Sequence, residues 1–193
     1  MGAGQNSRTY SRRNIYHNND KLFRFDVLVF SMKFSDRCSS GKSVDVSGQV
    51  LKTLLESNES CTAVVDKHLV VPDNYDEIVD TLKKLSSECS GIDVVITTGG
   101  TGFAVTDVIP EAVRAVCHRR ANGLEVALIV QSLKSTPLAA LSRLACGIRK
   151  HTVIISLPGS AKAVEVSIEG LSVTVYMTCF NLNYCNDFSL LHK

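Results

Sequence analysis

Three short stretches of the chain concentrate residues able to hold a phosphate. The first, SDRCSSGKSVDVSG from Ser35 to Gly48, sets Asp36 and Asp45 among Ser39, Ser40, Ser43 and Ser47, small polar groups that hydrogen-bond or coordinate. The second, TTGGTGFAVTD from Thr97 to Asp107, carries three glycines, Gly99, Gly100 and Gly102, whose backbone N–H groups can approach a phosphate closely. A helix N-terminus following that loop would add positive potential. Asp107 and Glu111 stand one turn apart beside it. An acid next to a phosphate cradle repels the ligand unless a cation intervenes, so the pairing points to Mg²⁺. The third stretch, SLPGSAK from Ser156 to Lys162, offers Ser160 and Lys162 as anion ligands. Singly, each has a plainer reading: a glycine-rich turn is also a tight connection, and Asp107 is also a helix cap. The Walker pattern and G-x-G-x-x-G are both absent. Together, the three loops point to a phosphate-ligand site.

The elements between the loops must bring them together. Phe25 to Ser31, Ala63 to Val71, Ile92 to Thr97 and Thr152 to Ser156 read as strands. A helix is expected where Val46, Val50, Leu51, Leu54 and Leu55 recur, with Asp45 or Ser47 as its cap. A second follows Asp73 or Asn74 with the stripe Ile78, Leu82 and Leu85. Pro110 and Glu111 fit the first turn of a third, running through Arg120 and stopped by Asn122-Gly123. Leu124 to Leu133, Leu138 to Leu144 and Ala161 to Glu169 complete the helices. Alternation in this rhythm implies βαβ units and an α/β, doubly wound, mainly parallel sheet with helices on both faces. Ligands bind such sheets beyond the carboxyl ends of the strands, where all three loops fall.

Composition narrows the class. The chain has 193 residues, 45% of them hydrophobic, with 21 basic and 19 acidic side chains. Its length suits one domain, and its apolar content suits a packed core. A net charge of +2 leaves no footprint for nucleic acid, and no apolar run reaches the ~20 residues of a membrane span. Seven scattered cysteines form no C-x-x-C pair, which fits a reducing, cytosolic setting. Five histidines are equally dispersed, without metal-ligand spacing. Residues 1–24 read as a disordered tail, 25–170 as the domain, and 171–193 as an atypical end, truncated or read-through, with a short strand over 171–177.

The run TTGGTGF-x-x-x-D-x-x-P-E-A from Thr97, S-L-x-x-T-P-L-x-x-L-S-R from Ser132 to Arg143, then C-G-I-R and S-L-P-G-S-x-K, resembles the molybdopterin adenylyltransferase family. That family takes in MoaB, MogA and the gephyrin G domain, and the first loop looks most like the MogA version. The resemblance covers about residues 25 to 170. It implies the molybdenum cofactor biosynthesis fold, commonly trimeric, that adenylylates molybdopterin with ATP and Mg²⁺ and releases pyrophosphate. On this match Asp45 and Asp107 are the catalytic carboxylates. Thr98, Gly99, Gly100, Thr101, Gly102, Pro158 and Gly159 would hold nucleotide phosphates. Ser35, Asp36, Ser132, Ser160 and Lys162 would bind molybdopterin, and Asp107 with Glu111 the Mg²⁺. A molybdate-insertion domain or protein would act next. Phosphoryl chemistry of this kind needs positioning and charge neutralisation, which agrees with the lack of any Ser-His or Cys-His constellation. The rival readings are a non-catalytic molybdopterin-binding or gephyrin-like trimeric scaffold, and an inactive truncated product. Val105 and Thr106 stand where the family usually has Pro and Arg, and Ser156 where it has Asn.

Overall fold

The computed structural model describes residues 26–41, 43–57 and 62–169. Both expected tails and the strand expected over 171–177 lie outside the described residues. The strands are β1 (Asp26–Phe34), β2 (Thr62–Val71), β3 (Val94–Thr98), β4 (Arg119–Arg120), β5 (Cys146–Arg149) and β6 (Thr152–Leu157). The helices are α1 (Asp36–Ser39), α2 (Val46–Glu56), α3 (Tyr75–Leu85), α4 (Ile109–Val116), α5 (Asn122–Ser135) and α6 (161–169), with a 3-10 turn at Pro137–Leu141.

One six-stranded sheet runs in the order β2-β1-β3-β6-β5-β4. The first four strands are parallel; β5 and β4 add an antiparallel edge. Every residue of β3 and β6 is buried, which explains their unbroken apolar runs: a central parallel strand is covered on both faces. Their side chains alternate between two cores. Val94, Ile96, Val153, Ile155 and Leu157 meet α2, α5 and α6 through Leu51, Leu128 and Val164. On the other face, Val95 and Ile154 meet α3 and α4 through Ile78, Leu82, Ala112 and Val113. Helices therefore cover both faces, as the alternation requires.

The order in which strands are added reverses around β1. From it the path leads outward to β2, returns to β3, and continues away to β6. The loops after β1 and β3 consequently diverge, leaving the crevice in which doubly wound sheets take their ligands.

Two local expectations are corrected. Helix α4 ends at Val116 instead of Arg120, because Cys117 turns extended and Arg119–Arg120 pair with Ile148 and Gly147 of β5. Asn122-Gly123 then opens α5 instead of closing α4. The helix expected over Leu138 to Leu144 is a 3-10 turn, with the Thr136 side chain accepting from the Leu138 amide, after which Ser142 turns extended.

Candidate active site

The second loop leaves β3 at buried Thr98 through two residues in the left-handed region, Gly99 at φ 95° and Gly100 at φ 59°. A side chain at either would be strained, so the direction of the loop depends on glycine. The Gly99 amide donates to Leu157 O at 3.1 Å, extending the β3–β6 ladder by one bond. That N–H is therefore not presented to a ligand. The amides of Gly100, Thr101 and Gly102 have no protein acceptor among the described residues and remain for an anion.

Arg143 fastens this loop from outside. Its Nε donates to Gly102 O at 2.6 Å, a terminal nitrogen donates to Asp107 O, and its backbone N–H donates to Thr101 O at 2.7 Å. Its remaining guanidinium nitrogen meets Glu111 Oε1 at 2.5 Å. Asp107 is held by a closed turn: Oδ2 accepts from the Ala104 amide at 2.9 Å, and the Asp107 amide returns to Ala104 O at 2.9 Å. A Cβ on Gly102 would sit 2.8 Å from that same Oδ2, so the carboxylate packs where only glycine leaves room. Asp107, Glu111, Arg143, Phe103 and Val105 line an open recess of about 400 Å³.

The third loop meets the second directly. A Cβ on Gly159 would lie 3.1 Å from Gly99 Cα. Gly159 O accepts from Lys33 Nζ at 2.9 Å, from a lysine only 8% exposed at the carboxyl end of β1. Ser160 Oγ accepts from the Ala163 amide at 3.2 Å, capping α6, and Lys162 pairs with Glu165 at 3.3 Å. Ser132, Pro158, Ser160 and Lys162 share a cavity of about 360 Å³. Ser132 Oγ is buried there without a hydrogen-bond partner among the described residues, an arrangement that a ligand or water acceptor would satisfy.

The first loop is built differently. Ser35 Oγ accepts from the Cys38 amide at 3.3 Å, and Asp36 opens α1; the Asp36 side chain lies outside the described residues. Asp45 caps α2, with Oδ1 accepting from the Gly48 amide and the Ser47 hydroxyl, each at 2.9 Å. Its Oδ2 meets His68 Nε2 at 2.5 Å. Burial acts to raise the Asp45 pKa, but the Gly48 amide, Ser47 and His68 together hold it below the usual carboxylate range. Both oxygens are engaged: Asp45 caps α2 and meets the His68 imidazole. Asp73 instead faces the second loop: its Oδ1 lies 3.7 Å from where a Gly100 Cβ would stand. Asn74, not Asp73, caps α3, accepting from the Glu77 amide at 3.1 Å.

The expected Mg²⁺ pair is divided. Glu111 is tied to a guanidinium, while the second oxygen of Asp107 has no protein donor among the described residues. Among those residues, no group of three His, Cys, Asp or Glu side chains could cage a metal. A single open carboxylate beside a phosphate loop fits the way Mg²⁺ binds, through one or two carboxylates plus substrate phosphates.

Residues 31–176 match the family model described as "Probable molybdopterin binding domain". The chain belongs to this family. It is 38% identical over 148 residues to gephyrin of Dictyostelium discoideum, covering 73% of this chain and 20% of that protein. To the molybdopterin adenylyltransferase of Helicobacter pylori J99 it is 38% identical over 138 residues, covering 71% of this chain and 77% of that protein. The crystal structure of the molybdopterin biosynthesis enzyme MoaB from Thermus thermophilus superposes with a TM-score of 0.74 at 30% identity, covering 81% and 96% of the two chains. The chain thus spans about a fifth of its gephyrin relative and about three quarters of its bacterial one. The family and fold expected from the motifs are both borne out.

Three residues at the site carry no signal in the loops themselves. Arg143 acts on the second loop across 41 residues of chain. Its one sequence cue is its place at the end of the S-L-x-x-T-P-L-x-x-L-S-R motif of the family. Lys33 interrupts the apolar run of β1, and Asp73 sits beside an asparagine equally able to cap.

Proposed function

We propose that this chain is a molybdopterin adenylyltransferase of molybdenum cofactor biosynthesis. The observation that carries the reading is the backbone contact of Gly159 with Gly99, which joins a loop with open amides to a cavity holding buried, unpartnered Ser132. ATP phosphates would lie on the Gly100 to Gly102 amides. The phosphate of molybdopterin would enter from the cavity side, near Ser132, Ser160 and Lys162. One oxygen of that phosphate attacks the α-phosphorus of ATP, forming a new P–O bond as the bond to the β-phosphate oxygen breaks and pyrophosphate leaves. The nucleophile is already an anion, so no side chain has to abstract a proton. Asp107 would hold a Mg²⁺ ion, which would supply charge neutralisation. The rest falls to this chain: Arg143 holds the loop in shape, Asp107 faces the phosphates, and Thr98 and Thr101 are buried beneath them.

The working unit is the segment 25–170, acting in the cytosol as a homotrimer and passing its product to a molybdate-insertion domain or protein. Self-association is supported by Val126, Val130 and Leu133, which stand exposed along one side of α5. No described helix is long and apolar enough to cross a membrane.

The test is direct. Purified protein is incubated with molybdopterin, ATP and Mg²⁺, and adenylylated pterin is measured beside Asp107→Ala. The wild type should form product and pyrophosphate in equal amounts, with the variant slower by about two orders of magnitude. A folded wild type that yields no adenylylated pterin would refute the assignment and leave the scaffold reading in its place.

A further inference from the structure

Lys33 is a buried cation that no element of the fold requires. Its side chain is 8% exposed, and its one hydrogen bond runs from Nζ to Gly159 O at 2.9 Å. Among the described residues no carboxylate lies within ion-pair distance of it. A lysine ammonium has three donors, so two remain unused. Burying an ammonium without a counter-charge is strongly unfavourable, and buried charges are ordinarily paired or hydrogen-bonded throughout. An apolar residue such as Met32, its fully buried neighbour, would fill the space of the stem without that penalty.

The position of Nζ gives the charge a use. It lies 3.3 Å from where a Gly159 Cβ would stand, and that same point is 3.1 Å from Gly99 Cα. The ammonium is therefore at the junction of the β3 and β6 loops, at the carboxyl end of β1 where the strand order reverses. Missing side chains at Gly99 and Gly159 keep that junction narrow. The open amides of the β3 loop follow Gly99 directly, and Pro158 and Ser160, the neighbours of Gly159, line the cavity with Ser132.

We propose that Lys33 is a substrate-binding residue whose ammonium is the counter-charge for a phosphate bound at the junction of the two loops. This inference rests on the adenylyltransferase reading for the identity of the phosphate, though not for its existence. In that reaction two anions must approach one another, and a fixed cation between the loops lowers their repulsion without any proton transfer. The bound group is a phosphoryl oxygen, from either the nucleotide or the pterin phosphate. Separate titrations with pyrophosphate, as the nucleotide fragment, and with a simple pterin-free phosphate monoester distinguish the two.

The experiment uses the whole chain and needs no turnover. Lysine side chains are labelled with ¹⁵N, the Lys33 resonance is assigned by its loss in Lys33→Gln, and the wild type is titrated with each probe. The Lys33 Nζ signal should move saturably with at least one of them. Pyrophosphate should also raise the melting temperature of the wild type, by roughly 5–10 °C at about a hundred times its Kd. In Lys33→Met the affinity for that probe should fall by at least ~30-fold. The variant's own melting temperature should be equal or higher, since an unpaired buried charge has gone. If the wild-type Nζ signal stays still under both probes, the proposal is overturned, whether or not Lys33→Met folds. It is also overturned if Lys33→Met folds and binds both probes as the wild type does. Failure of the adenylyltransferase reading alone would appear differently, as probe binding through Lys33 without formation of adenylylated pterin.

Discussion

Replacing Arg143 by methionine keeps most of the side-chain volume and removes every bond the guanidinium makes. Three are lost: to Gly102 O, to Asp107 O and to Glu111. Hydrogen bonds to charged groups contribute about 1.5–3 kcal/mol each when protected from water. The Arg143 side chain is 29% exposed and Glu111 46% exposed, so the Glu111 bond counts for little and the other two are partly screened. A total of about 2–4 kcal/mol follows, which in a chain of this size lowers the melting temperature by roughly 4–16 °C. The effect on the reaction should be larger than on the fold. The lost bonds end on the loop that presents Asp107, and displacement of a reacting group by an ångström can slow a reaction by about a hundredfold. Lysine at this position restores the charge without the planar fork and should recover only part of either loss. The assays are urea unfolding and adenylylated-pterin formation, measured on wild type, Arg143→Met and Arg143→Lys. If Arg143→Met unfolds within ~0.5 kcal/mol of wild type and keeps its rate within about threefold, Arg143 does not organise the loop, and the reasoning fails.

Other outcomes follow from the same geometry. Asp45 titrates below its ordinary range in the folded protein, so its contribution is present above the unfolded carboxylate pKa and is lost as pH falls through the lower folded value. Asp45→Ala should cost about 1–2 kcal/mol at neutral pH as a lost cap, and much of that difference should vanish once the pH is low enough to protonate the folded carboxylate, as followed by urea unfolding across pH. A persistent gap at acid pH would point to packing as the source. Gly159→Ala should separate the β3 and β6 loops, weakening pyrophosphate binding by at least about tenfold while secondary structure by circular dichroism stays native. Unchanged affinity would show that the close approach has no part in binding.

The parallel core was legible because β3 and β6 are covered on both faces and read as continuous apolar runs. The antiparallel edge was not. Strand β4 is two exposed arginines, without apolar alternation, and it exists only because β5 pairs with it. From the sequence β1 ends at Ser31, since Lys33 breaks the apolar run, whereas the strand continues to Phe34; a buried lysine looks, in sequence, like the start of a loop. At Asp73-Asn74 either residue could cap α3, and only the packed structure decides that Asn74 does so, which leaves Asp73 beside Gly100. Asp45 shows the opposite limit. Its matched position implies catalysis, while its contacts with a helix amide, a hydroxyl and an imidazole could be found only in the packed structure.

The contact of Gly99 with Gly159 has a consequence for how this domain can vary. Most tight contacts in a protein can be repaired after a mutation, because the partner can become smaller. Here neither partner has a side chain to give up, and a new Cβ on Gly159 meets backbone. Gly99 is further restricted by its own left-handed backbone. Damage at either position therefore has no suppressor at the other. Random mutagenesis with selection for activity should recover second-site revertants of changes at Arg143, but none at Gly159 for a loss at Gly99.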